Sequence, residues 1–243
     1  MNSESTGSMS NESVSIEELA KARTPLELLY WVELKMDQIG STDDGERALR
    51  LREGPAKQLI EEVYPLAIFG WHKFGNTDRI LLQPVIGNQS YDAVVTDLTC
   101  EPSSLSYVEI TQSHEGETEY LRRLDLQQRG FTFGHSPITK KGTKKTGLQV
   151  SVEPQVVHPS DVAKDELERI VDAAKRKAAK DYPTNTPLII VFDDDGFFQR
   201  ATDDATLDAF VKKHILNLDL RFSTLYLVGR RKNVFREYSL GKT

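Results

Sequence analysis

The chain has 243 residues, of which 38% are hydrophobic and 28% charged, and its formal net charge is −6. An acidic balance of this size excludes a general polyanion-binding surface and leaves that role to local basic patches. The one cysteine, Cys100, excludes an intrachain disulfide and a multi-cysteine zinc site, and the absence of a bilayer-length apolar run or a basic-then-apolar leader predicts a soluble cytoplasmic protein without a membrane partner.

Residues 1–15 are rich in Ser, Asn, Glu and Gly and read as a disordered tail; residues 16–243 read as a single α/β domain. Thr24-Pro25 opens a first helix, with Thr as N-cap and Pro in the first turn, and Gly40 closes it. Residues 42–53 are polar and join it to a second helical run, Pro55 to Lys73, which Pro65 should kink or interrupt. Three strands follow, Arg79 to Pro84, Tyr91 to Thr96 and Ser106 to Thr111, separated by Gly87-Asn88 and Glu101-Pro102-Ser103-Ser104. A helix spans Glu117 to Arg129, Gly130 suits its C′ position, and Phe131-Thr-Phe133 reads as a short strand. Lys140 to Gly147 is a basic loop and Leu148 to Val152 a further strand. Ser160 to Ala179 is a strong helix, Leu188 to Phe192 a buried strand, Thr206 to Ile215 a helix, and Phe222 to Val228 with Val234 to Tyr238 a closing strand pair. This order predicts a mixed β-sheet flanked by helices.

The most informative stretch is Tyr91-Asp92-Ala-Val-Val followed by Tyr107-Val-Glu109-Ile-Thr111. If these strands pair as a hairpin, Asp92 and Glu109 meet on one face. Two carboxylates held together repel unless a cation or a shared proton offsets the repulsion. A Mg²⁺ ion with oxygen ligands is the usual solution. The alternative is two solvated acids on strand surfaces.

The stretch from about residue 46 to 135 resembles the PD-(D/E)XK nuclease-like superfamily, whose order is helix, three strands, helix, strand. The resemblance implies a restriction-endonuclease-like core over residues 46–135 and a C-terminal α/β extension over 136–243. It places Asp92 at the strand-two Asp and Glu109 at the acid of the acid-x-Lys triplet, with Glu62 or Glu61 as the helix acid. Asp92 and Glu109 would then be the metal ligands, with the Ile110 carbonyl beside them. The activity implied is Mg²⁺-dependent hydrolysis of phosphodiester bonds in DNA. One position departs from the pattern: Thr111 stands where the family has Lys, and Gln112 follows. The Lys function is then lost, or supplied from Arg122, Arg123, Lys140, Lys141, Lys144 or Lys145. Arg122 and Arg123, and the cluster Lys140-Lys-Gly-Thr-Lys-Lys145, are also the candidate nucleic-acid contacts. The competing expectation is a catalytically inactive member of the fold that serves as an interaction or regulatory module with a protein partner.

The remaining motifs are weaker. Phe192-Asp-Asp-Asp-Gly196 is similar to the first motif of haloacid-dehalogenase-like phosphatases, but only 48 residues follow Asp195. It reads instead as an acidic turn in which Asp side chains cap backbone groups. The basic loop lacks the spacing of a phosphate-binding P-loop. Of the five histidines, His114 alone lies near the acids, as a candidate general base or a loop residue.

Overall fold

The computed structural model describes residues 14–114, 116–143, 146–178, 180–195 and 200–241. Most of the tail assigned to residues 1–15 therefore lies outside the described residues. Its last two positions do not fit that assignment. Val14 is 2% exposed, and Ser15 caps helix α1 (Ile16–Leu19) in a reciprocal box with Glu18. A buried Val and a satisfied cap give these residues the contacts the polar tail lacks.

Helix α2 (Pro25–Gly40) starts as its sequence predicts: Thr24 accepts from the Glu27 N–H, the Glu27 side chain answers the Thr24 N–H, and Pro25 sits in the first turn. The polar linker carries a helix of its own, α3 (Asp43–Leu51), capped by Thr42. The next helix runs through Pro65 instead of stopping there. It comprises α4 (Pro55–Gln58), a π segment (Leu59–Val63) and α5 (Tyr64–Phe74). Within the π turn the Tyr64 N–H reaches back five residues to the Leu59 carbonyl. Pro65 has no N–H to return to the preceding turn. The Glu61 carbonyl accepts instead from Gln112 Nε2 at 2.8 Å.

Three strands follow, β1 (Ile80–Pro84), β2 (Ala93–Asp97) and β3 (Ser104–Gln112), paired antiparallel in sequence order. Helix α6 (Gly116–Arg129) and a separate hairpin, β4 (Ile138–Thr143) with β5 (Gly147–Val152), lead to α7 (Pro159–Ala178). Then come β6 (Leu188–Phe192), α8 (Arg200–His214), β7 (Thr224–Gly229) and β8 (Phe235–Ser239). The six-stranded sheet has the order β1-β2-β3-β6-β7-β8, with β3, β6 and β7 parallel and β8 antiparallel at the edge. The fold is therefore mixed α/β, a six-stranded sheet flanked by helices.

Two expected features are corrected. Phe131-Thr-Phe133 is not a strand: it follows Gly130, which is left-handed, pairs with no neighbouring strand among the described residues, and its two rings meet edge-on at 6.0 Å. The basic segment is largely strand rather than loop, because Ile138–Thr143 finds an antiparallel partner in Gly147–Val152. The strand that pairs in parallel with β3 is β6, so the six-stranded sheet extends well past residue 135.

Burial explains the strand patterns. Leu82, Ala93, Val95, Val108 and Ile110 pack under α2, the π turn and α5 on one face. Leu188, Ile190 and Phe192 pack under α7 and α8 on the other, while Ile189 and Val191 of the same strand join the first face. A strand covered on both sides needs an unbroken apolar run, which Leu188–Phe192 supplies. Beyond β6, Asp194 is 1% exposed and accepts the Arg231 and Asn233 N–H groups at 2.8 and 2.9 Å. The acidic triplet is thus a turn in which Asp194 caps backbone, as its sequence predicts. Among the described residues no helix is long and apolar enough to cross a membrane.

Candidate active site

Glu109 of β3 stands level with Leu188, the first residue of the parallel strand β6, and Gln112 level with Val191 near its carboxyl end. The β2–β3 register pairs Ala93 with Val108. Extended by one residue it sets Asp92 opposite Glu109, the juxtaposition the hairpin predicts. Ala93 and Val108 face the α2–α5 core, so strand alternation turns Asp92 and Glu109 toward the α7 side. The Ile110 N–H donates to Asp92 Oδ2 at 2.7 Å, and the Asp92 N–H to the Val108 carbonyl at 2.8 Å. These bonds fix the aspartate on the sheet.

Glu109 is 5% exposed. Its Oε1 accepts from Lys177 Nζ of α7 and from the Tyr182 hydroxyl at 3.4 Å. A cleft of about 500 Å³ opens beside Asp92 and is lined by Glu61, Glu62, Asp92, Thr111, Gln112 and Lys177, with Ile110, His114, Gly116 and Arg176 completing the wall; Glu109 stands behind the Lys177 side of it. The π turn that carries Glu61 and Glu62 brings both consecutive acids to the same cleft, a use of π bulges frequent at functional sites.

The electrostatics follow from this crowding. Burial, then the neighbouring Asp92, Glu61 and Glu109 charges, push the Glu62 carboxyl up to about 7. Burial raises Asp92, opposed by the Ile110 N–H and by Lys177. Burial and Asp92 raise Glu109, opposed by Lys177. Three acids raised by desolvation, two of them also by neighbouring carboxylates, mark a functional-site candidate.

His114 is not the general base its position suggested. Burial and the guanidiniums of Arg52, Arg230 and Arg123 depress its pKa to about 3, far below a value suited to base catalysis at neutral pH. Arg52 Nη1 lies 2.8 Å from His114 Nε2 and 2.6 Å from Glu61. An arginine cannot accept, so Nε2 accepts and the ring proton sits on Nδ1. Gln112 ties the elements together: its Nε2 donates to the π turn, its Oε1 accepts from Arg230 at 3.2 Å, and its carbonyl accepts from Arg176 at 3.1 Å. It is a clamp between the helix and the strand ends, and Thr111 lines the cleft without a charge.

The other predicted residues separate. Arg123 of α6 lies near Arg52 and Arg230; burial, then their charges, lower its pKa to about 10. Arg122 turns away, its Nη2 3.5 Å from the Ser136 carbonyl. Lys140 pairs with Glu117 at the surface, and Lys141 is exposed on β4, so neither reaches the acids. Lys144 and Lys145 lie outside the described residues. Sequence reasoning missed Lys177, Arg52 and Arg230. Lys177 stands in the run Lys175-Arg-Lys177 at a helix end, which reads as a dipole complement; only the parallel β3–β6 pairing brings α7 across Glu109.

Among the described residues no group of three or more His, Cys, Asp or Glu side chains is gathered tightly enough to hold a metal as it stands. Asp92 is engaged by the Ile110 N–H and Glu109 by Lys177. In type the donors nonetheless suit a hard divalent cation: Asp92 and Glu62 offer carboxylate oxygens on one cleft, with Glu109 opposite Asp92 on the neighbouring strand. No family model, curated protein or solved structure matches the chain.

Proposed function

We propose that this protein is a divalent-cation-dependent phosphodiesterase acting on DNA, with a restriction-endonuclease-like core whose Lys function is carried by Lys177. The observation that supports it most is the cleft that Asp92 and Glu62 share with Lys177, which reaches Glu109 beside it from a different element. The order α4–α5, β1, β2, β3, then α7 and parallel β6, follows the order that the resemblance requires, with α6 and the β4–β5 hairpin inserted. On this reading the core runs from residue 55 to 192.

Asp92 and Glu109 would hold Mg²⁺, with Glu62 as auxiliary ligand. When bound, such a cation lowers the pKa of a coordinated water and stabilises charge on the attacked phosphate. The chain itself orients Asp92 through the Ile110 N–H. Lys177 is the positive group at the site: it neutralises Glu109 in the free protein and can donate to a phosphate oxygen once the carboxylate is otherwise engaged.

The same ion pair favours a second reading. Lys177 and Glu109 satisfy each other, and a site stabilised in this way can persist in a catalytically inactive interaction module. Cleavage of linear and supercoiled DNA by the purified full chain in Mg²⁺ or Mn²⁺ separates the two. The hydrolase reading expects cleavage that Asp92→Ala and Glu109→Ala abolish. Robust cleavage by both variants, or none by the wild type, overturns it.

A further inference from the structure

Behind His114, which lines the acid cleft, lies a positively charged cluster. Arg52 from the α3–α4 connection, Arg123 from α6 and Arg230 from the end of β7 converge around His114, near enough that each guanidinium influences the next. Their pairing is incomplete. Arg52 binds Glu61 at 2.6 Å, and Arg123 Nε lies 3.8 Å from Glu119 Oε1. Arg230 bonds to the Gln112 amide at 3.2 Å, and among the described residues no carboxylate forms an ion pair with it. Glu61 is further shared with Lys57 at 3.9 Å. Glu119, Asp193 and Glu166 act on Arg230 only by charge, without an ion-pair contact among the described residues.

Two donors in this cluster are buried without a hydrogen-bond partner of good geometry, Arg123 Nη1 and His114 Nδ1. A buried unpaired donor is costly, and one on a cation more so. Both costs vanish if an anion sits among them. The neutral His114 contributes an N–H from Nδ1, because Arg52 holds Nε2 as the acceptor. Gly116, the first residue of α6, lines the cleft at the same place, so the amino end of a 14-residue helix adds its partial positive charge. Guanidinium forks, an imidazole N–H and a helix amino end together suit phosphate geometry.

We propose that Arg52, Arg123 and Arg230, with His114 Nδ1 and the amino end of α6, form a pocket for a phosphate monoester, the terminal phosphate of a nucleic-acid strand. The assignment to a strand end rests on the phosphodiesterase reading; the phosphate pocket does not. Gln112 and His114 line the acid cleft and bond to Arg230 and Arg52, so a strand anchored by its end phosphate among the arginines runs toward Asp92 and Glu109. The pocket therefore sets the substrate class as phosphorylated ends rather than internal sites.

The test uses the full chain in EDTA, so that binding is read without cleavage. Labelled oligonucleotides with a 5′-phosphate, a 3′-phosphate or only hydroxyl ends are compared by fluorescence anisotropy, and inorganic phosphate is used alone in thermal shift. One phosphorylated end is expected to bind about tenfold tighter than the hydroxyl-ended strand, one charge-assisted contact in affinity terms. Arg123→Gln and Arg230→Gln should each erase that preference, whereas Arg122→Gln on the same helix and Asp92→Asn keep it. Equal affinity for all ends, or a preference untouched by both arginine variants, overturns the proposal. Stabilisation by inorganic phosphate with no preference among ends overturns the strand-end assignment in favour of a free-phosphate site. If an arginine variant fails to fold, the wild-type comparison of ends decides alone. A preference for phosphorylated ends with no cleavage in Mg²⁺ fails the phosphodiesterase reading and keeps the pocket; cleavage without the preference does the reverse.

Discussion

Replacing Glu62 by Gln should stabilise the protein, and only above neutral pH. In the fold its carboxyl is held near 7 by burial and by the acids around it, against an ordinary value of 4.5. A carboxyl raised in this way binds its proton more tightly folded than unfolded. Its contribution is fully present below about pH 4.5 and is lost as pH rises through about 7. The full shift corresponds to about 3 kcal/mol. The side chain is partly open to the cleft, and screening reduces this to roughly 1–2 kcal/mol. Gln mimics the protonated acid and cannot ionise. At pH 8 in EDTA, Glu62→Gln should therefore melt about 2–8 °C above wild type, and at pH 5 within about 1 °C of it. Thermal unfolding followed by circular dichroism at the two pH values reads the difference directly. An equal difference at pH 5 and pH 8 would refute the crowding argument, because a packing change does not titrate. A gain in stability on removing a cleft acid is also what a site held for function rather than for folding should give.

Four other outcomes are expected. Lys177→Met should lower the cleavage rate at least about 100-fold with the fold intact, while Lys177→Arg retains part of it; unchanged rates in both would remove Lys177 from the mechanism. Asp194→Ala should destabilise by about 2–4 kcal/mol in urea unfolding, since it strands the Arg231 and Asn233 N–H groups that the buried carboxylate accepts. Gly229→Ala should act on the same loop, because a Cβ there collides with the Asp194 carboxylate. Lys140→Ala should leave stability within about 0.5 kcal/mol, its pair with Glu117 being exposed, and lower the salt slope of DNA binding by at most about 1 if the hairpin touches phosphate at all.

The sequence was legible where local chemistry decides the outcome. Thr24-Pro25 with Glu27 sets the start of α2, and Leu188–Phe192 states by its unbroken apolar run that both of its faces are covered. Asp92 and Glu109 could be paired in advance because a hairpin register is local. The rest of the site was hidden because it depends on parallel pairing across long crossovers. Lys177 follows Glu109 by many residues and two inserted elements, and no spacing rule selects it from a basic helix end. Arg52 and Arg230 come from a connection and a strand end, positions that read as surface charge until the fold brings them together. Phe131-Thr-Phe133 misled for the opposite reason: its composition suits a strand, but no strand edge is within reach to pair with it. Pro65 was read correctly as a disturbance, though its outcome, a π turn that turns Glu61 and Glu62 into one cleft, is set by tertiary contact with Gln112.

The central claim is that Asp92 and Glu109, aided by Glu62, form a divalent-cation site on the β2–β3 hairpin, level with the start of β6. Titration of Mn²⁺ into the full chain at pH 8, read as loss of the free-ion signal by electron paramagnetic resonance, tests it without reference to any substrate. The account predicts saturable binding to the wild type that Asp92→Asn and Glu109→Gln each abolish, with both variants still folded by circular dichroism. Saturable binding that survives both substitutions, or no binding to the wild type, would contradict it.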